Sequence, residues 1–513
     1  MKILTASQIK EADSYTVKNE PVLSINLMER AAAAFANQFK QDFPKDTLIK
    51  IFCGMGNNGG DGLAVARLLH RSGYDLKVYL IHHNETPADE VKINEERLRK
   101  LQTVPVYDVT ESSKLPQISA RDVVIDALLG TGLNRNIEEE SLLGKIITHV
   151  NKSGARIVAV DIPSGMFADK FSTALSVKAA FTYTFTAPKY VFLFAESYPQ
   201  CGDWKVLEIG ISDAYLNQLD CKNIYVTPEL AAALLGRHRR KKFDHKGNFG
   251  HSLVVAGSQG KFGAALLAAK ACINSGSGLT TVHAPAAAMT ILQSCVPEAL
   301  FDADKQTDLI TAFPSPANFD ATGIGPGIGT EERTAEALET FLEQTELDTK
   351  LVLDADALNI LSKHSELLEM LPPFSVLTPH PKEFARLAGK TEGSMQRLEL
   401  ARKFSKEVNA YIILKGACTR IISPNGTVYF NSSGNPGLAK GGSGDVLTGI
   451  LTALIAQGWN TEEACILGVY LHGLAADLAI ENSNVMALSP LGLTEFIGGA
   501  LAKLSSFEQV WKP

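Results

Sequence analysis

The chain lacks most of what would mark a secreted, metal-clamped or nucleic-acid-binding protein. Its seven cysteines, at 53, 201, 221, 272, 295, 418 and 465, are odd in number and form no CxxC pair, which argues against a disulfide framework and against a zinc site. Positive charge is short: 49 Lys and Arg stand against 56 Asp and Glu, a formal charge of −7. No basic surface is implied, so no nucleic-acid partner is expected. The opening Met1-Lys2-Ile3-Leu4-Thr5-Ala6 has no apolar run of the signal-peptide kind. No uncharged apolar stretch reaches the ~20 residues that span a bilayer, so no membrane association is expected either. Short repeats and low-complexity tracts are absent. These absences lead us to expect a cytoplasmic protein, and 513 residues allow roughly three domains.

The chain is rich, by contrast, in apolar strands that end in glycines and polar groups. Ser24 to Phe39 reads as a capped amphipathic helix. Leu48 to Cys53 reads as a strand, followed by the loop Gly54-Met55-Gly56-Asn57-Asn58-Gly59-Gly60-Asp61-Gly62, a helix from Leu63 to Arg71, and a strand from Lys77 to Ile81. This βαβ order implies a parallel sheet. Two further apolar runs end in the same way, with Asp126 before Ala127-Leu128-Leu129-Gly130-Thr131-Gly132, and Asp161 before Ile162-Pro163-Ser164-Gly165. Ligands of open α/β sheets bind beyond the carboxyl ends of the strands, so three such ends are expected to line one pocket.

The second half is organised around Gly434-Asn435-Pro436-Gly437-Leu438-Ala439-Lys440-Gly441-Gly442-Ser443-Gly444-Asp445, which runs into an apolar helix, Val446 to Leu454. A Gly-rich loop opening a helix aims several backbone N–H groups and the positive end of the helix dipole at one point, which suits phosphate. A carboxylate there is repelled unless it has a task, and the natural one for Asp445 is to take the proton of an attacking hydroxyl. Upstream, strand ends deliver Asp354 and Asp356, His380 between two prolines, and Lys415-Gly416-Ala417-Cys418-Thr419; a further turn carries Gly327. The basic run Arg237-His238-Arg239-Arg240-Lys241-Lys242 is expected to be a solvated loop.

These residues carry two resemblances. Leu23 to Ile211 resembles the epimerase domain of bifunctional NAD(P)H-hydrate repair enzymes, through Leu27-Met28-Glu29-Arg30-Ala31, GMGNNGGDG at 54–62, DALLGTGLNR at 126–135 and VDIPSG at 160–165. That likeness implies a Rossmann-like, three-layer parallel-sheet domain. It implies substrate contacts at Asn57, Asn58, Gly59, Gly60 and Asp61, and at Gly130, Thr131, Gly132, Leu133, Asn134, Arg135 and Asn136. It also implies a potassium ion on Asn58, Asp126 and Ser164, and Asp161 as substrate contact and proton shuttle. The chain departs from the family pattern at Asp169-Lys170 and at Phe181.

Tyr225 to Leu504 is similar to the ADP- or ATP-dependent NAD(P)H-hydrate dehydratases, of ribokinase-like α/β fold. The matching segments are LVLDADALN at 351–359, LTPHPKEF at 377–384, LKGACT at 414–419 and GNPGLAKGGSGDVLTGIL at 434–451. The resemblance implies nucleotide contacts at Lys415 to Thr419 and Asn435 to Gly444, with Mg²⁺. It implies hydrate contacts at Ala264, Gly327, His380 and Asp445. Lys382 replaces a more usual Gly. The expected domains are 1–217 and 225–513, and the expected assembly is a homo-oligomer.

The implied chemistry is repair of NADH or NADPH carrying a hydroxyl on C6. The first domain would interconvert the R and S epimers; the second would phosphorylate the hydroxyl of the S form and expel phosphate, with ADP the first expectation over ATP. Two rivals stand beside this: a small-molecule kinase that releases its phosphorylated product, and a first half that only binds.

Overall fold

A computed structural model describes residues 1–20, 22–84 and 86–510, the side chains of 508–510 excepted; Pro513, the expected end of the second domain, lies outside the described residues. The chain divides into two compact units, Lys2–Cys221 and Lys222–Pro513 with Met1.

The first unit is built on β1 (Ile49–Cys53), β2 (Leu76–Ile81), β3 (Val106–Val109), β4 (Val123–Ala127), β5 (Arg156–Val160), β6 (Phe181–Phe185) and β7 (Asp203–Leu207). β1, β2, β4 and β5 are apolar runs buried almost throughout, as strands covered on both faces must be. The sheet order is β3-β2-β1-β4-β5-β6-β7 and every pairing is parallel. The chain winds outward from β1 to β3, then returns to lay β4 beside β1. The crevice beyond β1 and β4 is therefore the switch point at which such sheets bind ligands.

Helices α1 (Ala6–Asn19), α2 (Ser24–Asp42), α3 (Asn57–Arg71), α4 (Asp89–Arg99) and α5 (Leu142–Lys152) belong to the layers around this sheet. α3 corrects the sequence reading. It starts at Asn57, so Asn57 to Asp61 form its first turns and not a loop ahead of a helix at Leu63. The glycines serve close approach: a Cβ on Gly59 would lie 1.9 Å from the Gly54 carbonyl oxygen, and one on Gly62 2.5 Å from the Ala127 Cβ.

The second unit carries β8 (Asn223–Val226), β9 (His251–Val255), β10 (Leu279–Pro285), β11 (Leu300–Asp304), β12 (Ala321–Ile324), β13 (Leu351–Leu353), β14 (Val376–Leu377), β15 (Tyr411–Leu414), β16 (Arg420–Ile422) and β17 (Val428–Asn431). Their order is β11-β10-β9-β12-β13-β14-β15-β16-β17-β8. Pairing is parallel from β11 to β15, antiparallel through β16, and parallel again between β17 and β8. Here the switch point lies between β9 and β12.

Helix α6 (Phe262–Asn274) follows β9, and α7 (Ser443–Ala456) lies against it so closely that a Cβ on Gly449 would sit 2.1 Å from the Ala268 carbonyl oxygen. Val446, Leu447, Ile450, Leu451 and Leu454 of α7 join the main core of this unit. Helix α8 (Thr461–Ile480) is long and apolar enough to cross a membrane by length and composition, which the sequence reading did not anticipate because Glu462, Glu463 and Asp477 interrupt it; most of it is buried inside the unit.

The basic run is an exposed loop, as expected, and three of its side chains are also held. His238 stacks on Trp459 at 3.9 Å, Arg237 pairs with Glu463, and the Arg240 guanidinium lies 3.8 Å over the Phe249 ring while donating to the Gly276 carbonyl.

Candidate active sites

In the first unit two polar clusters form at the carboxyl ends of β1, β4, β5 and β6. In one, Asp126 closes β4 inside the core. Ser164 donates to it twice, from Oγ at 2.6 Å and from the backbone at 2.8 Å, and the Leu128 N–H donates at 3.2 Å. Burial raises the Asp126 pKa to about 6, against the pull of those hydrogen bonds. Ser164 Oγ also accepts from the Leu129 N–H at 2.8 Å, and Asn58 Nδ2 donates to the Leu129 carbonyl at 2.9 Å. Asn58, Asp126 and Ser164 thus meet around Leu129, with Gly130 packed on the Asn58 side chain. The donors gathered there are an amide, a carboxylate, a hydroxyl and backbone carbonyls, all hard oxygens with a single negative charge among them.

The second cluster surrounds Asp161. Its backbone has φ +65, a left-handed conformation uncommon for a residue with a side chain, and such strain collects at functional positions. The turn delivers its carboxylate to Lys189, which is fully buried, at 2.7 Å. Thr184 Oγ1 and the Phe185 N–H donate to the same oxygen at 3.1 and 3.0 Å. Asp61 of α3 and Asp13 of α1 face this pair. Burial and the Asp161 charge raise Asp13 to about 6, with Lys189 opposing, and raise Asp61 well above the usual carboxylate range.

Lys189 and Asp13 were missed in the sequence. Lys189 sits in an apolar stretch, Phe185 to Phe194, where a lone lysine was the only signal. Asp13 lies in a helix far from any glycine motif. The predicted loop residues fare unevenly. Gly130 adjoins the first cluster and Thr131 is half-buried, whereas Gly132, Asn134, Arg135 and Asn136 lie exposed, as does Asn57 at the start of α3. The departures are absorbed: Asp169 accepts from the N–H of Ala6, the first residue of α1, Lys170 lies 4.4 Å over the Phe167 ring, and Phe181 meets Phe43 edge-on.

In the second unit Asp445 occupies the first turn of α7, after Gly442 in a left-handed cap, φ +99. The backbone N–H groups of Gly441, Gly442, Gly444 and Asp445 find no acceptor among the described residues, the condition of an anion cradle. Directly beneath lies the ion pair of buried Asp354 with half-buried Lys415, at 2.7 Å, with Thr448 Oγ1 donating to Asp354 at 3.0 Å. A Cβ on Gly444 would lie 3.3 Å from both partners. Burial would lower Lys415, but Asp354 and Glu383 hold its pKa above the ordinary value; burial would raise Asp354, and Lys415 holds it below. Asp445 is raised to about 7, first by burial, then by Asp354.

The remaining predicted residues arrive from the first turn of α6 and from neighbouring strand ends. Ala264 and Gly327 touch, a Cβ on Gly327 being 3.1 Å from the Ala264 Cβ. His380 caps the helix Pro381–Leu387, its Nδ1 accepting from the Lys382 and Glu383 N–H groups. Burial lowers its pKa. Lys382 needs only its backbone there and its side chain is exposed, so the departure leaves His380 in place. Gly416 and Thr419 close a turn on each other, leaving Gly416 and Ala417 exposed and Cys418 half-buried.

Lys440 is different: its ammonium donates to the Met486 and Leu488 carbonyls at 2.7 and 2.6 Å, so it holds the loop and does not face the cradle. Two positioning residues on α8 had no motif to betray them. Asp477 accepts from Gly434 N–H and Asn435 Nδ2, and His472, lowered to about 4 by burial, hydrogen-bonds the Ser443 carbonyl.

Comparison with known proteins agrees with this division. Residues 252–497 match the family model described as NAD(P)H-hydrate dehydratase, and 24–191 the one described as YjeF-related protein N-terminus. The bifunctional NAD(P)H-hydrate repair enzyme of Thermofilum pendens is 34% identical over 99% of this chain and 98% of its own length. That of Moorella thermoacetica is 34% identical over 98% and 97%. Among solved structures, the ADP/ATP-dependent NAD(P)H-hydrate dehydratase of Bacillus subtilis, co-crystallised with ATP and Mg²⁺, is 30% identical, with a TM-score of 0.48 over 55% of this chain and 98% of that one.

Proposed function

The chain belongs to the bifunctional NAD(P)H-hydrate repair enzymes, and from that premise we propose how its two sites divide the work. The first unit interconverts the R and S hydrates at C6, and the second returns the S hydrate to NADH or NADPH with a nucleotide as phosphoryl donor. The observation that carries this is the cradle of unpartnered N–H groups with Asp445 at its edge.

Hydroxide is a poor leaving group. Asp445 takes the proton of the C6 hydroxyl as that oxygen attacks the terminal phosphorus. The Gly441–Gly444 amides hold the charge that develops on the phosphoryl oxygens, each such donor being worth about 3 kcal/mol. The C6–O bond then breaks as the ring nitrogen lone pair moves in; phosphate leaves with the bonding electrons, and loss of the C5 proton restores the dihydropyridine. A pKa near 7 suits a base that must be free at neutral pH yet strong enough to accept. We take ADP as donor, giving AMP. Among the described residues no three His, Cys, Asp or Glu side chains converge on a metal position. Mg²⁺ brought by the nucleotide would therefore be held chiefly by phosphate oxygens and water, and would neutralise phosphate charge.

In the first unit Asp161, with Lys189 behind it, passes a proton to the C6 hydroxyl as water departs, and takes one back as water adds to the other face. K⁺ on Asn58, Asp126 and Ser164 would supply a fixed positive charge there, and their oxygen set suits a monovalent ion. We place the chain in the cytoplasm as a homo-oligomer.

The test is a mixed-epimer hydrate preparation incubated with ADP, with ATP and with neither. The expected result is full recovery of the reduced-nicotinamide absorbance with one phosphate released per molecule restored. A stable phosphorylated product without recovered absorbance would establish a kinase instead.

A further inference from the structure

The strand ends that frame the site of the second unit carry one more set of charges, at its rim and outside the cradle. β9 runs into the turn Gly257–Lys261. Gly257 N–H donates to the Pro326 carbonyl at 2.8 Å, Ser258 Oγ donates to the Gly327 carbonyl at 2.7 Å, and Gly260 takes φ +81. The turn is thus tied to the loop after β12, and it leaves Lys261 just ahead of α6. Lys261 lies against two of the expected hydrate contacts: a Cβ on Gly327 would be 3.1 Å from the Cβ atoms of both Lys261 and Ala264.

Across the opening, Ala355 holds φ +50, again a left-handed conformation uncommon for a residue with a side chain. The residues on either side of it send their carboxylates to different partners, Asp354 to Lys415 at 2.7 Å and Asp356 to the Lys261 ammonium at 3.2 Å. Asp356 Oδ2 also accepts from the Gly329 N–H at 2.9 Å, and its Oδ1 accepts from Asn359 Nδ2 at 3.3 Å. Arg386 Nη2 in turn donates to Asn359 Oδ1 at 2.6 Å, and Arg386 stands on the helix that His380 caps. Lys261, Asp356, Asn359 and Arg386 therefore form one hydrogen-bonded row that joins the Gly327 side of the site to the His380 side.

An isolated exposed ion pair contributes little, but this row differs from one in three respects. It has a cation at each end and one carboxylate between, so it is net positive. Among the described residues Lys261 spends one of its three donors in the row and Arg386 one of its five, and both side chains are exposed, which leaves donors free for a ligand. It also stands before a negative floor, where Asp354, Glu383 and Asp445 outnumber Lys415; burial and Asp354 raise Asp445, and the Asp356 charge adds to them. A neutral substrate would need no cations at such a rim. The hydrated dinucleotide carries its pyrophosphate one ribose away from the ring, and those charges must be held near the floor while the ring occupies it.

We propose that Lys261 and Arg386 form the subsite for the pyrophosphate of the hydrated dinucleotide, with Asp356 and Asn359 fixing the spacing between them. This rests on the dehydratase reading of the second unit. The planar guanidinium suits two phosphate oxygens and the ammonium a further one. The row then selects dinucleotide hydrates over the bare riboside, and the 2′-phosphate of NADPH hydrate, on the other ribose, plays no part in the contact.

Initial rates of absorbance recovery by the full chain, with Mg²⁺ and saturating ADP or ATP, test this on the S hydrates of NADH, NADPH and reduced nicotinamide riboside, which has no phosphate. The wild type is expected to favour NADH hydrate over the riboside hydrate by roughly 100-fold in kcat/KM, two charge-assisted contacts at about tenfold each. Lys261→Met and Arg386→Met are each expected to cut that preference about tenfold through the KM for the hydrate, with the same loss for NADPH hydrate, and Lys261→Arg to retain most of it. A ratio between two substrates is insensitive to any loss of folded enzyme. A wild type that treats both hydrates alike, an unchanged ratio in either Met variant, a loss confined to NADPH hydrate, or a rise only in the KM for the nucleotide would each overturn the proposal. Failure of the wild type to restore any of the hydrates would overturn the dehydratase reading itself, and the subsite with it.

Discussion

Replacing Asp354 by Asn should move the pH dependence of dehydration without touching the base itself. Asp445 is raised to about 7, with the Asp354 charge second only to burial as a cause, while Lys415 pulls it down. In the wild type the base is ionised to about one tenth at pH 6 and nine tenths at pH 8, so kcat/KM for the hydrate rises roughly tenfold across that range. Asp354→Asn removes a like charge and frees the Lys415 ammonium, now held at 2.7 Å, to act on Asp445. A unit charge at roughly 6 Å in an effective dielectric of about 20 is worth about 2.8 kcal/mol, or about two pKa units. Both changes push in the same direction, so the inflection is expected to fall from about 7 towards 5, and activity at pH 6 to approach that at pH 8. The assay is the initial rate of reduced-nicotinamide absorbance from S hydrate with ADP and Mg²⁺. An inflection that stays at 7, or moves upward, would refute the assignment of Asp445 as a base tuned by Asp354.

Other substitutions separate the two units. Lys189→Met is expected to abolish epimer interconversion, followed by proton NMR, and to destabilise the first unit by about 3–5 kcal/mol in urea because Asp161 loses its buried partner. The raised carboxyls, Asp13 among them, bind protons on folding, so that variant should gain stability as pH falls from 7 to 5. Ser164→Ala removes a 2.6 Å hydrogen bond to Asp126 and an oxygen from the proposed K⁺ set; the K⁺ concentration for half-maximal epimerisation should rise more than tenfold, with dehydration unchanged. Gly449→Ala drives a methyl against the Ala268 carbonyl and should cost about 3 kcal/mol, lowering the calorimetric Tm of the second unit by roughly 6–12 °C.

Much of this was legible in the residues because strands covered on both faces are continuous apolar runs, and the parallel topology brings the residues just beyond each run to one edge of the sheet. Asp126, Asp161, Asp354, His380 and Lys415 were all found that way. Asn57 to Asp61 were misread because glycine ordinarily interrupts a helix, whereas here the missing Cβ atoms let α3 press against β1 and β4. Lys440 could not be distinguished from a phosphate-binding lysine, since the Met486 and Leu488 carbonyls that claim it lie more than forty residues away in sequence. Asp13, Lys189, His472 and Asp477 likewise act on residues more than twenty-five positions away in the chain and belong to no local pattern.

The most direct measurement is the Asp445→Asn variant of the full chain on a mixed-epimer hydrate with ADP, Mg²⁺ and K⁺, followed by absorbance together with chromatographic resolution of the epimers. The expected result is interconversion of R and S at the wild-type rate, nucleotide still bound, and dehydration slowed by at least 10²-fold. Nucleotide-dependent recovery of the reduced cofactor at an undiminished rate would contradict the account.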